Sequence, residues 1–459
     1  MTVTSSVLDE LAAALGDRVS TEPSHLDALR TDKSGWWSTG RALALVEAET
    51  VDDVQAAVRI AAAHGIPVVP RGTGTGLAGG ATATDGALVI SLARMDRILE
   101  VSLEDELAVV EAGVINQHLS DALAPHGYVF SPDPASKAIS SIGGNIATNA
   151  GGLLCAKYGV TREAVLGLSV VLADGSLLHT GRRTVKGVTG YDLTALLTGS
   201  EGTLGVIVQA TVRIRPIAVG SVHTIGAFFA DVTAAAAACA AITAARIRPA
   251  VMELMDAASV AVVNEYLGRP PAPAGAAFVL VQTDGAGSGV EAAETIAVLE
   301  AHGAFGLGAS DDPVAGEAQL AFRRSFHPAL EARGEVLIED VCVPRSALPA
   351  MFAEIERIEA ATGVQIPTVA HAGDGNLHPN FVIPGGAGDG DVPEIVWEAA
   401  DALFAAGVRL GGTLTGEHGV GVLKKRWLEG ELGEQSLELQ RRIKAAFDPR
   451  GLMNPGKVY

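Results

Sequence analysis

Glycine is the feature that most constrains this chain. There are 54 glycines among 459 residues, and they are not spread evenly. Glycine weakens helices and strands because it loses more backbone freedom on folding, so such an excess calls for sharp turns or close backbone approaches. Three tracts gather Gly with Ser, Thr and Asn: residues 71–80, 140–152 and 198–205. The first follows a short apolar run at 66–70 that reads as a buried strand. Its spacing is G-x-G-x-G, and no Gly-Lys-Ser/Thr follows, so it is neither a Rossmann fingerprint nor a nucleoside-triphosphate loop. Successive amides on such a turn still form an anion nest that suits a pyrophosphate. A single tract reads equally well as a surface turn. Three in one stretch of chain suit a large dinucleotide cofactor wrapped over a domain.

The charge balance narrows the partners. With 33 Lys+Arg against 53 Asp+Glu the formal charge is −20. That disfavours nucleic acid, because nothing would neutralise a phosphate backbone. Docking on an anionic membrane surface is disfavoured in the same way. At 48% hydrophobic the chain is globular and long enough for two or three domains. Cys155, Cys239 and Cys342 are far apart and odd in number, so no disulfide framework or thiolate metal site follows. Asp9 and Glu10 stand where a signal peptide needs basic residues. The bland stretch 234–245 is too short to span a bilayer. These features predict a cytoplasmic protein without an integral membrane segment.

Periodicity predicts a helix over 7–15, capped by Ser5 or Ser6, and another over 51–64. Strands are expected at 66–70, 87–91, 107–111, 165–172 and 205–214. The texture changes near 216–220. Beyond it, strand-like segments at 224–229 and 277–282 alternate with Ala-rich helices at 232–245 and 290–301. That alternation predicts an antiparallel sheet with helices on one face. Residues 270–273 and 385–390 read as surface loops, and a helix is expected over 422–428. The implied organisation is an N-terminal helical segment (1–37), a cofactor-binding domain (38–219), a second domain (220–412) and a C-terminal segment (413–459) that returns to the cofactor.

The C-terminal half carries its own chemistry. His371 and His378 lie seven residues apart in HAGDGNLH, and Thr415-Gly-Glu-His-Gly419 adds Glu417 and His418. Two imidazoles and one carboxylate make an open three-ligand divalent site that suits Zn, Mn or Fe(II). The alternative for any one histidine is a satisfied hydrogen-bonded side chain. Asp374 reads as a brace for its turn or for a ligating His.

Together these motifs carry a resemblance. Pro70, Arg71, Gly72, Thr73, Gly74, Thr75 and Gly76, then Pro132, Ser141, Gly143, Gly144, Asn145, Thr148, Asn149 and Gly151, and finally Glu201, Gly205 and Ile207 resemble the FAD-contacting loops of vanillyl-alcohol-oxidase-type flavoproteins. The C-terminal half is similar to the branch holding D-lactate dehydrogenase, the glycolate oxidase FAD subunit and D-2-hydroxyglutarate dehydrogenase. The resemblance implies an α+β chain with a two-lobed FAD-binding domain and an α+β cap built on an antiparallel sheet. It implies noncovalent FAD, since Thr75 stands where tethering relatives use a His. It implies His371, His378 and Glu417 as metal ligands, His418 as catalytic base, and Asn380 and Arg323 as substrate contacts, with Arg324 as the fallback for Arg323. The implied reaction is dehydrogenation of a D-2-hydroxy acid to the 2-oxo acid. Electrons would leave to a cytochrome, a quinone or an electron-transfer protein, because no nicotinamide-binding unit is visible; a homodimer is compatible. D-2-hydroxyglutarate as substrate, an oxygen-using FAD oxidase and an FAD-binding electron-transfer subunit are the rival readings. Against hydroxyglutarate stands Ile338, at the place where its specific relatives carry a Lys for the second carboxylate. No Lys lies between Gly334 and Pro344.

Overall fold

The computed structural model describes residues 3–383 and 392–459, and the loop expected at 385–390 lies outside them. The described chain divides into two units. The first comprises residues 1–151, 159–217 and 417–459, and the second 152–158 and 218–416.

The first unit has two lobes, each built on its own sheet. Strands Ala44–Glu47, Leu88–Ser91 and Val68–Arg71 pair in parallel, and the short Val19–Ser20 strand adds an antiparallel edge. Parallel neighbours need a crossover, and the helix Val51–His64 supplies it. Thr50 and Asp53 form a reciprocal capping box at its start, and Gly65 closes it in the left-handed conformation. The N-terminal helix, Val3–Leu15, buries Val7, Leu11 and Leu15 in the same core, so it is part of this lobe. It begins before Ser5 and Ser6, which therefore lie within the helix and do not cap it.

The second lobe is an antiparallel sheet in the order Ile98–Ser102, Leu107–Glu111, Val206–Arg213, Val165–Val171 and Leu177–Gly181. The helix Ile142–Thr148 lies close against it. A methyl group at Gly143 would sit 2.6 Å from Ala112 Cβ and 2.9 Å from Ala112 O. Only a residue without a side chain allows that contact.

The second unit is built on an antiparallel sheet. Its order is Phe305–Ser310, His223–Phe229, Ala277–Thr283, Val251–Met255, Thr368–His371, Asn376–Val382 and Val336–Ile338, with Val341–Cys342 also pairing to Asn376–Val382. The expectation of helices on one face is corrected here. Met255, Phe278, Leu280 and Val369 pack against helices Ala257–Tyr266, Pro313–Arg324 and Phe326–Glu331. The alternating residues Leu254, Val279 and Val281 are equally buried, and Val232–Ala244 and Ser288–Ala301 also pack on the sheet. A strand buried on both faces reads as a continuous apolar run, and that is why alternation was absent from the sequence. The segment 152–158 belongs to this unit through Lys157 Nζ and Tyr158 OH, which both donate to the Asp284 carboxylate.

The helix expected at 422–428 does not form there. Val422 and Leu423 instead donate their amides to Ala78 O, at 2.8 and 3.3 Å, which removes them from a helical ladder. A short 3-10 turn, Lys425–Trp427, leads into the helix Leu428–Phe447. Among the described residues no helix is long and apolar enough to cross a membrane.

The Gly143 contact generates a test. Gly143→Ala overpacks a helix against backbone that cannot retreat, and is expected to cost about 1–3 kcal/mol of stability. Urea unfolding followed by circular dichroism should report it as a lowered midpoint; a midpoint equal to the parent's would show that the helix can slide.

Candidate active site

The three glycine tracts converge in the first unit. Between the first and second, a methyl group at Gly72 would lie 2.5 Å from Ser141 Oγ. The second and third are joined by backbone: Gly199 N–H donates to Ile146 O at 2.9 Å, and Glu201 N–H to Ala147 O at 2.8 Å. The third meets the first where Gly202 faces the Pro70 ring, a methyl there lying 3.1 Å away. This backbone-lined convergence fits a dinucleotide, because bare amides and hydroxyls can approach phosphate and ring atoms closely.

Several predicted cofactor residues also have work inside the protein. Arg71 braces its own loop, donating to Ala81 O at 2.8 Å and Thr31 O at 3.1 Å. Burial holds its guanidinium below the usual arginine range. Thr73, Gly74, Thr75 and Gly76 form the loop that Arg71 supports, and Gly74 O accepts from Lys33 N–H at 3.1 Å. Ser141 caps the helix Ile142–Thr148 by accepting from Gly144 N–H at 3.3 Å. Thr148 Oγ1 donates back to Gly144 O at 3.3 Å, and Asn149 closes the helix in the left-handed conformation. Asn145 Nδ2 donates to Ser140 Oγ at 3.1 Å. Asn116, which the sequence did not single out, donates to Pro132 O and to Asn145 Oδ1, at 3.0 Å each. Gly151 is the last residue before the chain crosses to the second unit. Gly205 faces Val170, with a methyl there 2.7 Å from Cγ1, and Ile207 is core.

Glu201 has the most specific environment. Its carboxylate is buried and accepts from Val420 N–H and Gly421 N–H, both at 2.8 Å. Gly419, at φ 87°, presses so closely on Glu201 that a methyl would lie 3.0 Å from its Cδ. The turn that carries Glu417 and His418 is thereby fixed onto the glycine tracts, and the buried His418 lies within it. Asn454 completes the bracket from the C-terminal tail, donating to Gly80 O at 3.0 Å and Glu201 O at 2.7 Å. Burial pushes the Glu201 carboxyl up to about 7 against the pull of its two amide donors and of Lys424.

The second unit gathers the other predicted residues. His371 ends one strand and His378 stands in the next, a hairpin in which the two rings are 4.8 Å apart between centroids and meet edge to face at 81°. Asp374 Oδ1 accepts from Asn376 N–H at 3.1 Å and so braces the connecting turn. His371 Nδ1 is 2.6 Å from Glu253 Oε1. Arg323 reaches the same carboxylate, with Nε at 2.9 Å and Nη2 at 2.8 Å from Oε2. Arg324 pairs with Glu317 at 2.7 Å in an exposed position. Asn380 is fully buried; its Nδ2 donates to His378 O at 2.8 Å, and its Oδ1 has no partner among the described residues. Ile338 is the cross-strand partner of Asn380.

Asp340 sets the start of the Glu417 segment. Its buried carboxylate accepts from Thr415 Oγ1 at 3.0 Å and Gly416 N–H at 2.7 Å. Glu417 is the next residue, and the boundary between units falls at that peptide bond. Glu201, Asp340 and Glu253 are three buried carboxylates whose partners within the protein the sequence did not reveal. A lone Glu in VMELM, an otherwise wholly apolar strand, was the one available signal.

The raised Glu201 carboxyl has a definite linkage. A folded-state value of about 7 lies above the ordinary 4.5, so its contribution is full below about pH 4.5 and is lost as pH rises through about 7. The stability difference between parent and Glu201→Gln should therefore shrink from pH 4.5 to 7.5 and flatten above. Urea midpoints across that range check it; a difference that grows with pH would mean Glu201 is ionised throughout.

Comparison with known proteins places this geometry. Residues 42–181 match the model described as FAD binding domain, and residues 220–458 match FAD linked oxidases, C-terminal domain. The chain is 39% identical over 421 residues to the glycolate oxidase subunit GlcD of Bacillus subtilis, covering 91% of this chain and 88% of that protein. It is 35% identical over 437 residues to a D-lactate dehydrogenase of Archaeoglobus fulgidus, covering 94% and 95%. A D-2-hydroxyglutarate dehydrogenase of Xanthomonas citri pv. viticola is 35% identical over 449 residues, covering 96% and 94%. Among solved structures, p-cresol methylhydroxylase with substrate bound superposes with a TM-score of 0.79 at 18% identity, covering 99% of this chain and 96% of that one. A 4-ethylphenol oxidase from Gulosibacter chungangensis gives 0.78 at 18% identity, covering 99% and 97%.

Proposed function

This chain belongs to the FAD-linked oxidases, and within that family we propose that it dehydrogenates a D-2-hydroxy monocarboxylate, such as D-lactate or glycolate, to the 2-oxo acid. The observation that carries this reading is the buried His371–His378 pair, whose ligand nitrogens lie within 4.8 Å and whose outer face is closed by Glu253. Two imidazoles so disposed fit a divalent ion, and a carboxylate behind a ligating His is the usual support for one. Glu417, one peptide bond beyond the anchored Gly416, is the third ligand in this proposal.

FAD, which the converging glycine tracts would hold noncovalently, would supply the two-electron acceptor that takes the α-hydrogen of the substrate as hydride. A divalent ion, when bound, polarises the substrate oxygens. The chain's own groups do the rest. Arg323 has Nη1 left over from its bonds to Glu253 and offers it to the substrate carboxylate. Asn380 Oδ1, unpartnered and buried, accepts a hydrogen bond from substrate. His418 takes the hydroxyl proton as general base, held by the turn that Glu201 fixes. The electrons pass on to an acceptor other than a nicotinamide, of the cytochrome, quinone or electron-transfer-protein kind.

Substrate size follows from Ile338, which stands opposite Asn380 and cannot pair a second carboxylate. An unpaired buried charge is expensive. D-lactate should exceed D-2-hydroxyglutarate at least ~10-fold in kcat/KM, equivalent to about 1.4 kcal/mol of differential transition-state binding. A dye-reduction assay with both acids, run with and without chelator, tests the whole reading. Chelation or His378→Ala should abolish turnover while the flavin spectrum persists. Full activity in verified metal-free protein would remove the metal from the reading, and better turnover of hydroxyglutarate would reverse the substrate assignment.

The base is tested separately. His418→Asn should slow flavin reduction in stopped flow by about 10²–10⁴-fold with metal content retained. Loss of metal instead would make His418 a ligand.

A further inference from the structure

Glu253 sits in the middle of the strand Val251–Met255, every residue of which is buried. It is the cross-strand partner of His371, and only 1% of it is exposed. A carboxylate in such a place is costly unless both oxygens are engaged by donors and its charge is matched. Both conditions hold. Oε1 lies 2.6 Å from His371 Nδ1, and Oε2 takes the Arg323 fork at 2.8 and 2.9 Å. All three side chains are buried.

The division of the two oxygens has a chemical consequence. A carboxylate against Nδ1 holds the proton on that nitrogen, so the lone pair of a neutral His371 is on Nε2. Held this way, His371 presents the donor that a metal needs and its ring is fixed in azimuth. The other oxygen holds Nε and Nη2 of Arg323, which fixes the plane of the guanidinium and turns Nη1 away from Glu253. One buried side chain therefore orients two groups that otherwise sit on separate elements, a sheet strand and the helix Pro313–Arg324.

We propose that Glu253 is a positioning residue that sets the Nδ1–H form of His371 through one oxygen and the orientation of the Arg323 fork through the other. It rests on the reading of His371 as a metal ligand and Arg323 as the anchor of the substrate carboxylate. Metal affinity and carboxylate affinity are thereby linked: loss of the Glu253 charge weakens both, although Glu253 touches neither metal nor substrate.

The test is Glu253→Gln in the full-length, FAD-loaded protein. Zn(II) affinity is measured by competition with a chromogenic chelator, and flavin content and melting temperature are recorded beside it. KM for D-lactate is measured at saturating Zn(II). The expected result is about 10–100-fold weaker Zn(II) binding and a raised KM, with flavin content unchanged. A buried Arg323 left without its partner could prevent folding. The double variant Glu253→Gln/Arg323→Met then replaces the single one, because it leaves no unpaired charge, and the same weakening of Zn(II) binding is expected. Zn(II) affinity within twofold of the parent in the variant that folds overturns the role of Glu253. A parent that binds no stoichiometric Zn(II), Mn(II) or Fe(II) instead overturns the metal reading itself, and the two failures are told apart by the parent's own titration.

Discussion

Close backbone approach among the glycine tracts is the constraint on which the first unit depends. Where residues 72, 143, 202, 205 and 419 face their neighbours, a single added carbon would meet side chain or backbone at about 3 Å or less. Protein interiors are close-packed and do not open to admit such a carbon at no cost. The tracts converge because they have no side chains to hold them apart. Convergence in turn leaves a surface of amides and hydroxyls, the kind that a dinucleotide can lie on. The glycine excess and the cofactor site have one cause.

Buried carboxylates then fix what glycine leaves free. Glycine-rich turns lose the most conformational freedom on folding, so their geometry needs anchors. Within the second unit Asp340 accepts from Thr415 and Gly416, and within the first Glu201 accepts from Val420 and Gly421. Glu253 does the corresponding task for His371. In each case the carboxylate is shielded from water, where hydrogen bonds to charged groups are strong and a missing partner is expensive. A side chain on a glycine-rich turn is thereby given a fixed backbone without bulky neighbours around it.

Much of this was legible in the residues, and the limits are physical. The crossover helix Val51–His64 announced itself by periodicity, and the tracts by composition. His371 and His378 were recognisable by spacing, and the structure sets them on the two strands of one hairpin. The second face of the cap sheet was not legible, because a strand buried on both sides shows no alternation. The helix expected at 422–428 failed because Ala78, more than 340 residues earlier, accepts the amides that would have begun it. Glu201 sits in a motif that the resemblance assigns to cofactor, yet its carboxylate accepts from backbone. Such long-range acceptors leave no periodic trace.

The unexplained polar atoms point the same way as the anchored ones. Buried polar groups are nearly always satisfied, so an orphan needs a reason. Glu201, Asp340 and Glu253 each engage both of their oxygens with donors of the protein. Asn380 differs: its amide donates to the backbone of His378 while its Oδ1 meets no donor among the described residues, although the residue is wholly buried. The two kinds of residue divide the labour. Carboxylates with complete sets of donors brace His371 and the turns on which Glu417 and His418 lie, and the amide of Asn380 stays incomplete beside His378. The cross-strand partner of Asn380 is Ile338, an apolar side chain that adds no donor to this set.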